Sequence, residues 1–351
     1  MGFLFSGPCL RHGGVEGGYI SPVMKKWAPR VIGPIVLLIL LFQLDIRATI
    51  EVLRQASLKP IVFAYLMFIP SLFLRTFRWR SLMAPQKIHL RFCESFSVYA
   101  LSIFVGVVTP GRVGEFIKAV YLKQKGNSLG ASFFSVFLDR IYDIVFLLIF
   151  GCGALSSFVL FGEETATVIT WIFVVVAFGV VILWFMVRGK GHVTVIRILR
   201  AVSPLSLKAS ITSGYLDFSE GFGKTKLGTF GWAFVLTCLA WGANYGAVYL
   251  FGVALGFDIT FLVMAGIAAI CALVTMIPIS IMGLGTRDAA VILMLGKYGV
   301  SETGAVAFST LILSMLLCNA ALCSFSLLTP AGKFDWRVQV DQTLKESGDN
   351  S

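Results

Sequence analysis

Charge is scarce in this sequence: 13% of its 351 residues are Asp, Glu, Lys or Arg, about half the ~25% usual in soluble domains. Hydrophobic residues make up 57% and the mean hydropathy is +0.87. So little charge cannot coat a water-exposed chain of this size, and the composition marks an integral membrane protein. Histidine is sparse too, and His12, His89 and His192 all lie outside the confident spans. There is no His-x-x-x-His, Gly-x-Ser-x-Gly or phosphate-loop pattern, which leaves conventional metal, serine-nucleophile and ATP chemistry without their residues. No metal or cofactor is expected. The seven cysteines include no Cys-x-x-Cys pair and fall mostly inside apolar runs, as small packing residues do. Missing also is the short alternating pattern of a membrane barrel, so the spans are helical.

Full crossings are expected at about 31–45, 60–79, 131–155, 165–187, 227–252 and 303–328, each apolar and bounded by polar residues. Two further apolar regions, 92–122 and 259–299, are interrupted. The first contains "TPGRVGE", with Pro110, Gly111 and Gly114; the second contains "IPISIMGLGTRD", with Pro278, Gly283 and Gly285. Both read as broken helices.

The net charge of +11 is concentrated beside the spans, a topological signal first and an attraction to anionic headgroups second. Nucleic acid is not an expected partner. The positive-inside rule puts Lys25, Lys26 and Arg30, the 75–91 cluster, Lys118, Lys123 and Lys125, and Arg188 and Lys190 on the cytoplasmic side, with Lys333 and Arg337. Both termini are then cytoplasmic, and 92–122 must enter from the cytoplasm and return. The same reasoning sends 259–299 in from the exterior. The expected fold is all-α and polytopic: six full spans and two re-entrant hairpins in an inverted repeat, the arrangement in which transporters place a midplane site. About eight full spans would satisfy the charges equally.

Residues 1–23 are Gly-rich and polar, read as a disordered or spurious extension, and Met24 opens a second candidate start. One membrane domain covers 24–330, with repeats at 60–155 and 227–328. A surface amphipathic linker at 191–226 joins them, and 331–351 form a polar cytoplasmic tail.

Inside the 131–155 span stands "FLDRIYDIVFLL", with Asp139, Arg140 and Asp143. Each such charge costs about 2.5–3.5 kcal/mol at the membrane centre, where a Leu or Phe returns only about 0.3–0.6, so the three must be paired or wetted. Asp139 and Asp143 share a helix face and Arg140 is within pairing reach of Asp143. An internal ion pair that locks helix packing explains them about as well as a functional site. Arg112 and Glu115 on the first hairpin, and Arg287 and Asp288 on the second, would join them if the hairpin tips meet at the midplane. Arg112 beside freed backbone N–H groups would form an anion site, and Gly114 would let a backbone or headgroup come close. Arg75 is the deepest of the cations in "FLRTFRWRSL" and would guide a phosphate inward. Topogenic anchoring accounts for Arg78 and Arg80, with Trp79 as an interface aromatic.

The combination of "PGRVGEFIKAVYL", "FLDRIYDIVFLL" and "GLGTRDAAVI" resembles the lysylphosphatidylglycerol synthase transmembrane-region family, the flippase-like membrane half of multiple peptide resistance factors. The resemblance spans about residues 30–330 and implies that Arg112, Glu115, Asp139, Arg140 and Arg287 face a cavity. It also implies movement of polar lipids between leaflets. The fused synthases of that family continue into a large cytosolic domain, whereas this sequence stops shortly after its last span, so aminoacyl-lipid synthesis is not expected. Where members often carry Arg-Glu after the late glycines, this chain has Arg287–Asp288.

The leading expectation is a flippase of the cytoplasmic membrane, with no enzymatic activity, carrying a phosphate-containing lipid or lipid-linked headgroup. Arg112, Arg140 and Arg287 would hold the phosphate; Glu115, Asp139, Asp143 and Asp288 would balance them, pair with an amine or carry protons. The alternatives are an intramembrane lipid-phosphate transferase or hydrolase and a non-transporting subunit of a lipid or glycan synthesis complex. Expected partners are anionic or zwitterionic phospholipids or isoprenoid-linked headgroups, a separate lipid-modifying enzyme, and further copies of the chain.

Overall fold

The computed structural model describes residues 46–157, 208–276 and 283–332, which are helical apart from their connections, with no strand among them. In chain order the helices are α1 (Ile46–Gln55), α2 (Leu58–Leu66), α3 (Phe68–Met83), α4 (Phe92–Val108), α5 (Ile117–Gln124), α6 (Leu129–Ser157), α7 (Lys208–Lys224), α8 (Leu227–Ala254), α9 (Phe261–Met276), α10 (Thr286–Gly296) and α11 (Glu302–Cys323). Short 3₁₀ turns extend α3 through Gln86, fill Pro110–Phe116 between α4 and α5, and follow α11 to Leu328. The expected spans at 31–45 and 165–187, Pro278 and most of the tail lie outside the described residues.

Among the described residues, three helical stretches are long and apolar enough to cross a membrane: Leu58–Gln86, Leu227–Ala254 and Glu302–Leu328. At 29 residues α6 is long enough as well, but it carries Asp139, Arg140 and Asp143. The interrupted regions break where glycine and proline stand. Pro110 holds Thr109 in an extended conformation (φ −98°, ψ 138°) and so stops α4. Beyond Gly283 and Gly285, both at positive φ, α10 starts, with Asp288 Oδ2 accepting from the Gly285 N–H at 2.8 Å. The pieces α4, α5, α9 and α10 have 17, 8, 16 and 11 residues, each below the roughly 20 that a helical crossing needs. That favours hairpins over pairs of full spans.

The two long-broken-long sets pack with a two-fold pattern. The long helix of one set, α2–α3, lies along its counterpart α8. The first leg of each hairpin crosses to the last helix of the other set, α4 to α11 and α9 to α6, while the second leg returns to its own, α5 to α6 and α10 to α11. Small residues permit these approaches, as they do between helices in lipid. A Cβ on Gly151 of α6 would stand 2.8 Å from Leu273 of α9, and one on Gly252 of α8 would meet Met264. The described part of the linker, α7, rests Phe218 and Phe222 on Phe134 of α6 and turns the Glu220–Lys224 pair outward.

Among the described residues apolar side chains form three clusters, the smallest around Phe134, Leu138 and Phe222 where α7 meets α6. Of the larger groups, one joins α8 to α11 around Phe251, Met264 and Phe308; the other joins α3, α4 and α5 around Met83, Trp79 and Tyr99. Leu58, Leu227, Leu262 and Leu293 point outward, each at least two-thirds exposed, a surface suited to hydrocarbon and not to water.

Candidate functional site

Where the first hairpin meets α3 and α6, charged side chains gather in the protein interior. Arg78 of α3 is fully enclosed. Its Nε donates to Asp139 Oδ1 at 2.8 Å, its Nη1 to Asp143 Oδ1 at 2.8 Å and to Thr237 Oγ1 at 3.0 Å, and its Nη2 to Asp143 Oδ2 at 3.1 Å. Lys118 of α5, equally buried, places Nζ 2.7 Å from Asp139 Oδ2 and 4.1 Å from the Tyr99 ring centroid. Arg140 contacts three acids: Glu115 at 2.5 Å, Asp143 at 2.9 Å and Asp139 at 3.0 Å. Asp143 also accepts from Trp241 Nε1 at 3.0 Å and lies 3.4 Å from Arg75 Nη1, whose guanidinium covers the Trp241 ring at 4.7 Å. Every carboxylate in this cluster is thus held by at least two cations, the arrangement that buried charge requires.

Beside the cluster is a cavity of about 160 Å³. Its polar wall carries Arg75, Arg112, Glu115, Arg140 and Asp143 from the first set of helices and Arg287 from the second; Leu147, Val248, Ile312 and Met315 supply apolar surface. The two broken hairpins therefore bring Arg112 and Arg287, far apart in sequence, to one space. Arg112 is the most accessible of the ion-paired arginines here: its side chain keeps 37% exposure and reaches Glu115 only at 3.8 Å. Its backbone is left-handed, φ 56°, a conformation costly for a side chain with a Cβ and common where function holds a residue in place.

Arg75, Arg112, Glu115, Arg140, Asp143 and Arg287 line the cavity; Asp139 and Asp288 stand behind its wall. Asp139 is fully buried under Arg78, Lys118, Arg140 and Tyr99. Asp288 caps α10, binds Arg287 at 2.7 Å and accepts a hydrogen bond from Ser309 of α11, so the shorter acid of the Arg-Asp pair is spent in tying the second hairpin together and to α11. The freed N–H groups expected after Pro110 are partly occupied, because the Gly114 N–H donates to Thr109 Oγ1 at 2.8 Å. Gly114 admits neither a headgroup nor a distant strand of chain: a Cβ there would lie 2.6 Å from the Val105 carbonyl oxygen, so the glycine closes the hairpin on itself. Gly106 does the same opposite Glu115. Nor are the acids unpaired, as proton carriers would be.

Sequence reasoning missed Arg78, Lys118, Trp79, Tyr99 and Trp241. The first three were assigned to loops and the interface, yet all are enclosed. Arg75 and Arg78 are three apart and Asp139 and Asp143 four apart, so two helix faces of opposite charge were available as a signal.

This geometry defines a polytopic helical membrane protein with a cationic cavity between two broken hairpins. The chain belongs to the lysylphosphatidylglycerol synthase TM region family, whose profile matches residues 28–317. It is similar to the UPF0104 membrane protein PH1989 of Pyrococcus horikoshii, 25% identical over 311 residues, 82% of this chain and 92% of the relative. Two Methanocaldococcus jannaschii proteins are also similar. UPF0104 membrane protein MJ1078 is 27% identical over 64% of this chain and 91% of its own length, and UPF0104 membrane protein MJ1595 is 21% identical over 82% and 90%.

Proposed function

We propose that the chain carries a phosphate-containing lipid headgroup between membrane leaflets through the arginine-lined cavity, as a transporter and not as an enzyme. The observation that carries this reading is the meeting of Arg112 and Arg287, one from each broken hairpin, in the lining of a cavity that also presents apolar side chains. Guanidinium groups match phosphate oxygens in geometry and charge, and the apolar side chains suit the glycerol backbone and the first methylenes of the tails. Six cations of the cluster and second hairpin (Arg75, Arg78, Arg112, Lys118, Arg140, Arg287) face four acids (Glu115, Asp139, Asp143, Asp288), an excess of two positive charges. Broken helices at matching places in two structural halves suit a site reached alternately from either side. Since the acids are already paired, movement down a gradient is the mode that these residues support.

The test is transbilayer movement of fluorescent anionic and zwitterionic phospholipids in proteoliposomes of the cytoplasmic-membrane type. Arg112→Ala and Arg287→Ala should each slow movement at least tenfold, while Leu262→Ala, on the outer surface, should not. Failure of every phospholipid to move, or unchanged rates in both arginine variants, would refute the reading.

A further inference from the structure

The charges around the cavity do not cancel. Among the described residues, the lining carries Arg75, Arg112, Arg140 and Arg287 against Glu115 and Asp143. The buried charges bound to that lining, Arg78 and Lys118 against Asp139 and Asp288, balance one another. Two positive charges are thus left over, in surroundings where buried charge persists only when it is matched.

Ion-pair distances show where the excess lies. Arg140 holds Glu115 at 2.5 Å and Asp143 at 2.9 Å, and Arg287 holds Asp288 at 2.7 Å. Arg112 reaches Glu115 only at 3.8 Å. Arg75 lies 3.4 Å from both oxygens of Asp143, an acid that Arg78 and Arg140 already grip at 2.8 and 2.9 Å. These two loosely held guanidiniums equal the excess in number. One stands on α3 and the other on the turn of the first hairpin, and both belong to the lining.

Resting on the transport reading above, we infer that the headgroup is a terminal phosphate, a monoester dianion on a hydrocarbon-chain lipid, with Arg75 and Arg112 as its two counter-cations. A phosphodiester brings one negative charge and leaves one cation unmatched, and a zwitterionic head brings no net charge. A monoester brings close to two at neutral pH, and its three free oxygens serve two guanidinium forks better than the two of a diester. The cavity, about 160 Å³, is smaller than the ~300–1,000 Å³ of sites for drug-sized ligands, a scale suited to a bare phosphate without a sugar or amino-acid cap. Leu147, Val248, Ile312 and Met315 in the same lining suit an ester of a hydrocarbon chain and not free phosphate.

Binding to the detergent-purified full chain tests this separately from transport. The probes are dihexanoyl phosphatidic acid, dihexanoyl phosphatidylmethanol, whose methyl cap removes one charge and adds one carbon, and glycerol 3-phosphate. At pH 7.5 phosphatidic acid should bind about tenfold tighter than the methyl ester. At pH 5, where the monoester regains its second proton, the two should bind alike. The methyl ester stays singly charged at both values and so reports titration of the lining itself, whose other ionisable groups are Glu115, Asp143, Tyr99, Tyr245 and Cys271. Arg112→Ala and, separately, Arg75→Met each remove one excess charge and should cut the pH 7.5 preference to about threefold or less, with phosphatidic acid losing more affinity than the methyl ester. Glycerol 3-phosphate, without chains for the apolar lining, should bind at least about tenfold more weakly than phosphatidic acid. Equal affinity of the two lipids at pH 7.5, a preference that persists at pH 5, or an unchanged preference in both variants would overturn the inference even if lipids are transported. Glycerol 3-phosphate binding as tightly as phosphatidic acid would overturn the lipid as the source of the phosphate. The expected affinity order without transbilayer movement in proteoliposomes would uphold the ligand and refute the transport reading.

Discussion

Replacing Arg78 with Met keeps the volume of the side chain and removes its charge, and it separates framework from cavity. Four donated hydrogen bonds tie this one guanidinium to Asp139, Asp143 and Thr237 inside the protein. Removing one partner of a buried ion pair costs about 3–5 kcal/mol. Both acids keep other cations, Lys118 and Arg140 for Asp139, Arg75 and Arg140 for Asp143, which puts the expected loss near the lower end, about 3 kcal/mol. Arg112→Ala should cost under about 1 kcal/mol, because that side chain is partly exposed and its pairing is long. Arg78→Lys should recover little, since an ammonium cannot bridge two carboxylates as a planar fork does. Equilibrium unfolding in maltoside micelles with rising SDS fraction, followed by circular dichroism, measures each variant. If Arg78→Met lies within about 1 kcal/mol of wild type, or Arg112→Ala proves equally costly, the division into framework and cavity is wrong.

Asp139→Asn should destabilise the protein by about 3 kcal/mol by leaving the buried Lys118 ammonium poorly matched; transport per folded molecule, measured in the same proteoliposomes, should stay near wild type. Gly114→Ala would drive a methyl into the Val105 carbonyl and should cost about 1–3 kcal/mol, together with opening of the first hairpin, read as faster thiol labelling of a cysteine placed at Val105. Gly283→Ala combines a left-handed φ of 74° with a 2.7 Å approach to Thr275 Oγ1, whereas Gly126→Ala has φ 87° and open space. Unfolding should therefore show about 1–2 kcal/mol of strain for Gly126→Ala and a clearly larger loss for Gly283→Ala.

Among the described residues, the membrane class, the helices at 60–79, 131–155, 227–252 and 303–328 and the interruptions were legible because each follows from local composition: apolar length makes the span, Pro110 stops α4, and Gly283 and Gly285 precede the start of α10. The gathering of Arg112, Glu115, Arg140 and Arg287 was legible as soon as the cost of charge in hydrocarbon was set against their positions. The mistakes arose where one residue type serves two purposes. Lys and Arg at the end of a span satisfy the positive-inside rule whether they face water or turn inward, so Arg78 and Lys118 looked topogenic. Trp79 was assigned to the interface for the same reason. Asp139 was read as cavity-facing because sequence reveals that a charge is buried but not which of its neighbours covers it. The place of Asn319 and Tyr245 in the cavity lining left no trace, since it depends on how helices far apart in sequence pack together.

The pairing of α3 with α6 also sets a timetable for biosynthesis. Arg78 is separated from Asp139 by 61 residues and from Asp143 by 65, which at about 5–20 residues per second is a wait of roughly 3–13 s. During that interval α3 would hold Arg75 and Arg78 in lipid without counterions, at about 2.5–3.5 kcal/mol each. The second helix set, with Thr237 and Trp241, emerges later still. The first helices must therefore linger at the insertion machinery or the bilayer edge until α6 is made, and enter the membrane together as a charge-matched group.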